Sequence, residues 1–477
     1  MVSFKQRIIK IHEPIHVKPQ SVFLITAILW GITNIILTPP FQVPDEPAHF
    51  YKSLQVSEGK LFSENFQNQV GGYFPKGSNR IATFFDYTFL ESGYRFHFHD
   101  LAEALKIRPD TSAVTFIQFP NTARIFPVPY FPQAFGIMIG KLFFNSPLVW
   151  FYAGRLFNLI AWISLLFFAI KIVPVHKWTM VLLALLPMHI NLAASQSADA
   201  FTNAISFLGI AIFLRLIFTK DYMRWKSAFW MLLVLSLVSL SKNVYISLAL
   251  LFFLIPKTKF QTRRFYKLSL ALVAFVGILG FLAGSFYTSK VYHLVEPGVS
   301  FFPHFADSVP PVDHLKQIRF ILANPMEYLF ILADSLRNQW QVLIYSGIGV
   351  LGWLNVSLPI WYYSFMAITV LCMAFFEHSE NIVVKLKNKL LFLLVVIITI
   401  VLICTISYLT WTPVGQNTID GLQGRYFIPI LPLVFVLFYN RRLKIPHHAG
   451  VIVTLVALLI SFVVSNVALY EKYWSLL

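Results

Sequence analysis

Charge is scarce in this chain. Asp, Glu, Lys and Arg make up only 12% of its 477 residues, while 57% are hydrophobic. Soluble domains carry about 25% charged residues, so the composition excludes an ordinary water-soluble fold. Mean hydropathy is +0.67, and repeated apolar runs of about 20 residues read as transmembrane helices. Cysteine is nearly absent. Cys372 and Cys404 both lie in apolar runs, which argues against a disulfide framework or a thiolate metal site. The G-x-x-x-x-G-K-S/T loop is missing, so no P-loop phosphate cradle is expected. No internal repeat is evident, which weakens a transporter built from two matching halves. Nor does the N-terminus read as a cleaved signal: a basic segment, residues 1–20, precedes the apolar run 21–38, and Pro39-Pro40 stands where small residues would mark a cleavage site.

What charge there is has a direction. The formal net charge is +17, from 38 Lys and Arg against 21 Asp and Glu. Apolar spans are expected at about 21–38, 148–170, 178–193, 199–217, 227–241, 244–256, 268–287, 359–376, 389–409, 426–440 and 449–469, about eleven in all. The pair at 227–256 reads equally as a shallow hairpin around Lys242. Residues 126–144 contain Pro127, Pro129 and Pro132 and are read as interfacial. With that choice, the N-terminus (Lys5, Arg7, Lys10, Lys18) and the turns at 171–177, 215–226, 257–267, 385–389 and 441–444 fall on one side. They hold 21 of the 38 basic residues, and the same side holds only Glu13, Asp221, Glu377 and Glu380 among the acids. The rest of the chain balances to zero. Such an excess marks the cytoplasmic side of a membrane protein and argues against a nucleic-acid partner. The N-terminus is then cytoplasmic. The loops 40–147, 288–358 and 410–425 are extracytoplasmic, and the first is long enough to form an ordered lobe. The expected architecture is an all-α polytopic bundle with 1–20 as cytoplasmic tail and 21–477 as one transmembrane domain.

The stretch at the first helix exit draws the most attention. Pro39, Pro40, Pro44 and Pro47 fall within nine residues, and each removes an N–H and pushes its predecessor out of the helical region. A stiff non-helical segment therefore presents Asp45 and Glu46 at the membrane surface. Carboxylates there are costly unless paired or used. They read either as a solvated polar turn or as a general base in a membrane enzyme.

Three more constellations fall on the same side. Ser197 and Asp199 fit a helix cap and first-turn acid, or an acid facing a cavity. Asp420-Gly421-Leu422-Gln423-Gly424-Arg425-Tyr426 precedes an apolar helix. Its glycines let backbone N–H groups approach an anion, and Arg425 offers a forked phosphate donor; the bland alternative is an arginine snorkelling to headgroups. Lys242 either snorkels or binds phosphate.

Weaker signals are His97-Phe98-His99-Asp100, where two histidines on one face of an extended strand could start a metal site with Asp86 or Glu91. His189 reads as a core residue. Arg155 and Asn158, one turn apart, are expected to pair with an acid or with helix ends. Gly347–Gly352 with Trp353 reads as an interfacial segment without chemistry.

Taken together, Pro39–Tyr51 (Pro-Pro, then Pro-Asp-Glu-Pro-Ala-His-Phe-Tyr), Pro129–Ala134, Gly154–Leu159, Leu185–Met188 with Ala194–Asp199, and Gln423–Pro429 resemble a bacterial domain-of-unknown-function family of polytopic membrane proteins. The likeness runs in order along nearly the whole chain. One departure is Gln42-Val43, inserted where the family often runs directly into Asp-Glu. That family is in turn similar to the GT-C superfamily of integral membrane glycosyltransferases. The resemblance implies a GT-C-like bundle in a bacterial plasma membrane, with an extracytoplasmic active site. It further implies transfer of a monosaccharide from a polyprenyl-phosphate donor to a cell-envelope glycan, with inversion. Asp45 would be the base, with Glu46 the other candidate. Arg425 and Lys242 would hold the donor phosphate, and His49, Asp199, Arg155 and Tyr426 would support them. Some GT-C enzymes need a divalent metal, and two adjacent acids alone do not indicate one. A lipid-linked glycan flippase and a polysaccharide polymerase are the alternatives.

Overall fold

The computed structural model describes residues 17–85, 95–294, 312–379, 381–443 and 445–474. Lys5, Arg7, Lys10, Asp86 and Glu91, and the expectations attached to them, lie outside these.

Six helices are long and apolar enough to cross a membrane: Pro19–Leu37, Pro147–Ile172, Ala198–Phe218, Arg263–Val291, Leu386–Thr410 and His448–Tyr473. Four shorter apolar helical segments, Trp225–Ser241, Asn243–Leu254, Ile360–Phe376 and Gly424–Val436, fall where further spans were expected. The count of eleven is therefore not supported. The reason is proline and tight winding. The expected span 178–193 is two helices, Lys177–Ala184 and Pro187–Ala193, broken where Pro187 cannot donate its hydrogen bond. The stretch 244–256 winds as a 3-10 helix, Asn243–Leu254. The last short segment also begins as a 3-10 helix, Gly424–Ile430, with Pro429 inside it.

In chain order, α1 (Pro19–Leu37) leads through the proline-rich loop into α2 (Glu46–Ser57). A small lobe follows, and the chain is not wholly α. Strands β1 (Glu64–Phe66), β2 (Gln69–Lys76) and β3 (Asp110–Gln118) form an antiparallel sheet in that order, with Gly71 opposite Gln118 and Tyr73 opposite Phe116. Then come α3 (Pro120–Ala123) and α4 (Phe131–Phe143). At 13 residues α4 is too short to span by itself. It lies on the long helix α5 (Pro147–Ile172), seated through Gly136 and Gly140.

The short helices α6 (Lys177–Ala184) and α7 (Pro187–Ala193) are buried except at Lys177 and form the centre of the bundle, touching α1, α5 and the last helix. Next, α8 (Ala198–Phe218) and α9 (Trp225–Ser241) lead to Lys242 at the head of a hairpin, and α10 (Arg263–Tyr292) closes over it. The expected loop 288–358 contains a 25-residue helix, α11 (Pro325–Gly349), which packs on Gly424–Ile430. The bundle closes with α12 (Ile360–Phe376), α13 (Leu386–Thr410), α14 (Leu431–Val436) and α15 (His447–Tyr473).

The two ends of the bundle differ. At one end lie Asp199, at the start of α8, and the lobe. At the other, about 30 Å away along α8, lie the basic turns. Glu377 there accepts the backbone N–H groups of Trp178 and Thr179 at 2.9 and 2.8 Å, Lys389 donates to the Tyr439 carbonyl at 2.8 Å, and Met223 bridges Phe260.

Candidate functional site

The site is built on the proline-rich loop. With few N–H groups of its own, the loop cannot close a regular hydrogen-bond pattern, and side chains from distant segments hold its carbonyls instead. Arg155 donates to Thr38 O at 2.7 Å and Pro39 O at 3.0 Å. Trp474 Nε1 donates to Leu37 O at 2.9 Å, Trp353 Nε1 to Phe41 O at 2.8 Å, and Tyr473 Oη to Gln42 O at 3.5 Å. Two residues, Phe41 (φ 65°) and Asp45 (φ 58°), adopt the left-handed conformation. For a bulky aromatic that is rare. Strain of this kind costs about 1–3 kcal/mol per residue and persists only where surroundings enforce it.

The loop sends its two acids in opposite directions. Glu46 turns inward and is fully buried. Arg155 Nε and Nη2 grip its carboxylate at 2.8 and 2.7 Å, and Gln196 N–H adds a third donor at 3.1 Å. This arrangement corrects the reading of Glu46 as a second candidate base: three donors hold its carboxylate and it is fully buried. Arg155 is the partner of that acid. Asn158, one turn on, donates to Ser195 O at 2.7 Å and Ser197 O at 3.2 Å, fixing the turn between α7 and α8.

Asp45 turns outward at the start of α2, its side chain 30% exposed. Asn121 of α3 donates to its Oδ1 at 2.9 Å, and Arg425 Nη2 stands 3.5 Å from its Oδ2. Arg425 is only 3% exposed. Its Nε lies 3.7 Å from Asp199 Oδ2, beyond hydrogen-bond range, so among the described residues Nε and Nη1 find no hydrogen-bond acceptor. Asp199 is gripped by Lys242 Nζ at 2.5 Å, while Ser197 caps α8 by accepting from Asp199 N–H. The ring of Tyr426 lies beneath both cations, 4.8 Å from Lys242 and 5.3 Å from Arg425, and Tyr245 Oη fixes the Tyr426 carbonyl at 2.7 Å. Five of the expected site residues thus converge: Asp45, Asp199, Lys242, Arg425 and Tyr426.

His49, one turn along α2, bonds through Nδ1 to Tyr130 Oη at 2.8 Å. Burial lowers its pKa to about 4, against the opposing pull of Asp45 and Asp199. It is therefore a neutral hydrogen-bonding group at physiological pH.

Asn121 carries no sequence signal that marks it; Tyr130 stands in the Pro129–Ala134 stretch and Tyr245 beside Lys242, but the sequence assigns neither a role. Trp353 carried one that was read as chemically empty, yet it holds the loop. The His97–Asp100 stretch is corrected as well. It is not an extended strand. Asp100 accepts the His97 N–H at 2.8 Å and caps the helix Phe98–Leu105, so its carboxylate serves the backbone. Among the described residues, no group of three or more His, Cys, Asp and Glu side chains gathers as a metal site. The carboxylates of the cluster face Lys242 and Arg425.

A bundle of long apolar helices with a charge cluster at one end defines a multi-pass membrane protein. The family model described as "Predicted membrane protein (DUF2142)" matches residues 28–434, and the chain belongs to that family. Comparisons with curated proteins and with solved structures return no match. The family match ends inside α14. The last helix, which supplies Tyr473 and Trp474 to the loop, lies beyond it.

Proposed function

We propose that the protein is a GT-C-like glycosyltransferase of a bacterial plasma membrane. It transfers a monosaccharide from a polyprenyl-phosphate donor to a cell-envelope glycan on the extracytoplasmic face, with inversion. The observation that carries this reading is one partly exposed carboxylate, Asp45, beside a buried guanidinium with unused N–H groups.

In the reaction, the acceptor hydroxyl gives its proton to the Asp45 carboxylate as its oxygen attacks the sugar's C1. The C1–O bond to phosphate breaks on the opposite face. Negative charge grows on the leaving polyprenyl phosphate, where Arg425 and Lys242 stabilise it without reorganising. Asp199 holds the two cations together. The site lies at the end of α8 remote from the basic turns, which the positive-inside rule puts in the cytoplasm. The domain limits retained are a tail at 1–20 and one transmembrane domain at 21–477. Its outer loops are 40–147, 288–358 and 410–425, with the sheet-bearing lobe placed for the acceptor.

The test is transfer or slow hydrolysis of polyprenyl-phosphate sugars labelled in the sugar, using purified protein. Asp45→Asn is expected to lower turnover by about 10²–10⁴-fold, the range for a general base, with the protein still folded. Arg425→Ala is expected to lose donor binding. Transport of labelled lipid without turnover, unchanged in Asp45→Asn, would instead indicate a flippase. Growing chains would indicate a polymerase.

A further inference from the structure

We infer that Asp45 is the resting occupant of the anion site. On this view an incoming phosphate displaces it from Arg425, and Asn121 is the positioning residue that then keeps Asp45 aimed at the acceptor. The inference deepens the proposed function and rests on its phosphate site.

The cluster's geometry carries the argument. Two carboxylates and two cations face one another, so the resting site is balanced and has no spare positive charge to offer an anion. A phosphate must therefore replace a carboxylate at one of the cations. Asp199 is the poorer candidate to yield. It is buried, bonded to Lys242 at 2.5 Å, and fixed in the first turn of α8. Asp45 is the better one: its contact with Arg425 is long, at 3.5 Å, and its side chain is partly exposed. A charge-assisted hydrogen bond proper would close to about 2.7–2.9 Å.

The guanidinium is also ready for a stronger acceptor, because Nε and Nη1 have none. A phosphate oxygen pair can take two parallel N–H groups of an arginine, which Asp45 in its present place does not. When Arg425 is taken, Asp45 keeps one partner, the Asn121 amide on Oδ1. Carboxamide, carboxylate and guanidinium thus form a relay with one exchangeable contact. Donor binding would free Asp45 from Arg425 for the acceptor hydroxyl, and would place donor before acceptor in the binding order.

Calorimetry on the full-length protein in detergent tests this apart from turnover. The probes are citronellyl phosphate, a short prenyl monophosphate, and inorganic phosphate. Asp45→Asn and Asp45→Ser are both expected to bind citronellyl phosphate about fivefold more tightly than wild type, the upper range for a partly exposed ion pair. Two variants guard against one that misfolds. Arg425→Gln is expected to lose binding. Asn121→Ala is expected to lower kcat about tenfold while leaving the donor KM unchanged, as loss of one hydrogen bond to a charged group allows. Unchanged or weaker binding in both Asp45 variants would overturn the displacement while leaving the phosphate site standing. Equal loss of kcat and gain of KM in Asn121→Ala would overturn its positioning role. Wild-type binding that Arg425→Gln does not reduce would overturn the phosphate site, and the displacement with it.

Discussion

Asp45 and Glu46 are neighbours in the chain and opposites in the structure. Glu46 is sealed in a pair whose donors lie at 2.7 to 3.1 Å, with Arg155 equally buried. Asp45 belongs to a looser cluster, with contacts to Arg425 at 3.5 Å and from Arg425 to Asp199 at 3.7 Å, and with guanidinium N–H groups to spare. The closed pair serves structure: its side chains bind each other, the Gln196 N–H and two loop carbonyls. The open cluster keeps capacity in reserve. A carboxylate in the first situation is architecture, and one in the second can meet a ligand. What separates them is the left-handed turn at Asp45, which ends the loop and starts α2 between the two side chains.

The contrast breaks most visibly if the closed pair is opened. Removing one member of a buried ion pair strands a charge and typically costs about 3–5 kcal/mol. Arg155→Ala and Glu46→Ala are therefore expected to deplete folded protein, read as monodisperse yield and thermal midpoint in detergent. The double change Glu46→Met with Arg155→Met is expected to recover part of that loss, since no charge is stranded. Asp45→Asn is expected to leave the midpoint within about 1 kcal/mol of wild type. Equal damage from Asp45→Asn would erase the distinction between the two acids.

Much of this was readable in the sequence. Apolar runs located the six long helices, because a bilayer demands length and low charge whatever the packing. The prolines marked the loop, and the carboxylates, Lys242 and Arg425 stood out as charges in an apolar setting. What the sequence could not supply was side-chain direction after a turn. Nothing in the order Asp-Glu says which acid faces inward, because that depends on one backbone angle and on Arg155, 109 residues away. The breaks at Leu185–Pro187 and in the 3-10 segments are also tertiary. The two short helices α6 and α7 are buried apart from Lys177, so apolar content alone cannot tell one long helix from two short ones. Asn121 and Trp353 stayed hidden because each acts through one hydrogen bond with a distant partner.

A second change reaches the open cluster without altering its charges. Gly424, just before Arg425, lies so close to α11 that a Cβ there would stand 1.9 Å from Leu343 O and 2.3 Å from Gly347 N. Backbone cannot yield as a flexible side chain does. Gly424→Ala is expected to cost about 1–3 kcal/mol as overpacking, and to weaken citronellyl phosphate binding by shifting Arg425. Normal binding in a destabilised Gly424→Ala protein would show that the arginine tolerates displacement, and that the cluster is less exacting than its geometry implies.

Acid–base behaviour sharpens the comparison at a third buried charge, Lys52 of α2. Among the described residues its ammonium has no carboxylate partner within bonding range. It donates to Tyr287 Oη at 2.7 Å and Gln55 Oε1 at 3.0 Å, and burial lowers its pKa to about 7. Between about pH 7 and its ordinary value of 10.5 the unfolded chain binds the proton and the folded protein does not. Stability is therefore expected to rise with pH across that window, by at most about 1.4 kcal/mol per unit. Lys52→Met is expected to flatten the rise in thermal midpoint. An unchanged slope in that variant would assign the effect to another group.

The smallest expected effect bears on how the loop keeps the two acids apart. Trp353 gives its one N–H to Phe41 O at 2.8 Å, at the first of the two left-handed residues. Phenylalanine keeps most of the ring's bulk and removes only the donor. Trp353→Phe is therefore expected to cost about 1 kcal/mol, the net worth of a typical hydrogen bond, and to leave the Glu46–Arg155 pair intact, since that pair rests on its own contacts. Asp45 is more exposed to the change. Its backbone angle depends on a loop whose remaining outside supports are Arg155, Tyr473 and Trp474. A drop in turnover larger than the drop in stability would mean that the loop's strain is maintained for Asp45. A loss confined to stability would mean that the aromatic supports serve the fold alone, and that Asp45 is held by Asn121 and Arg425 without help from the loop.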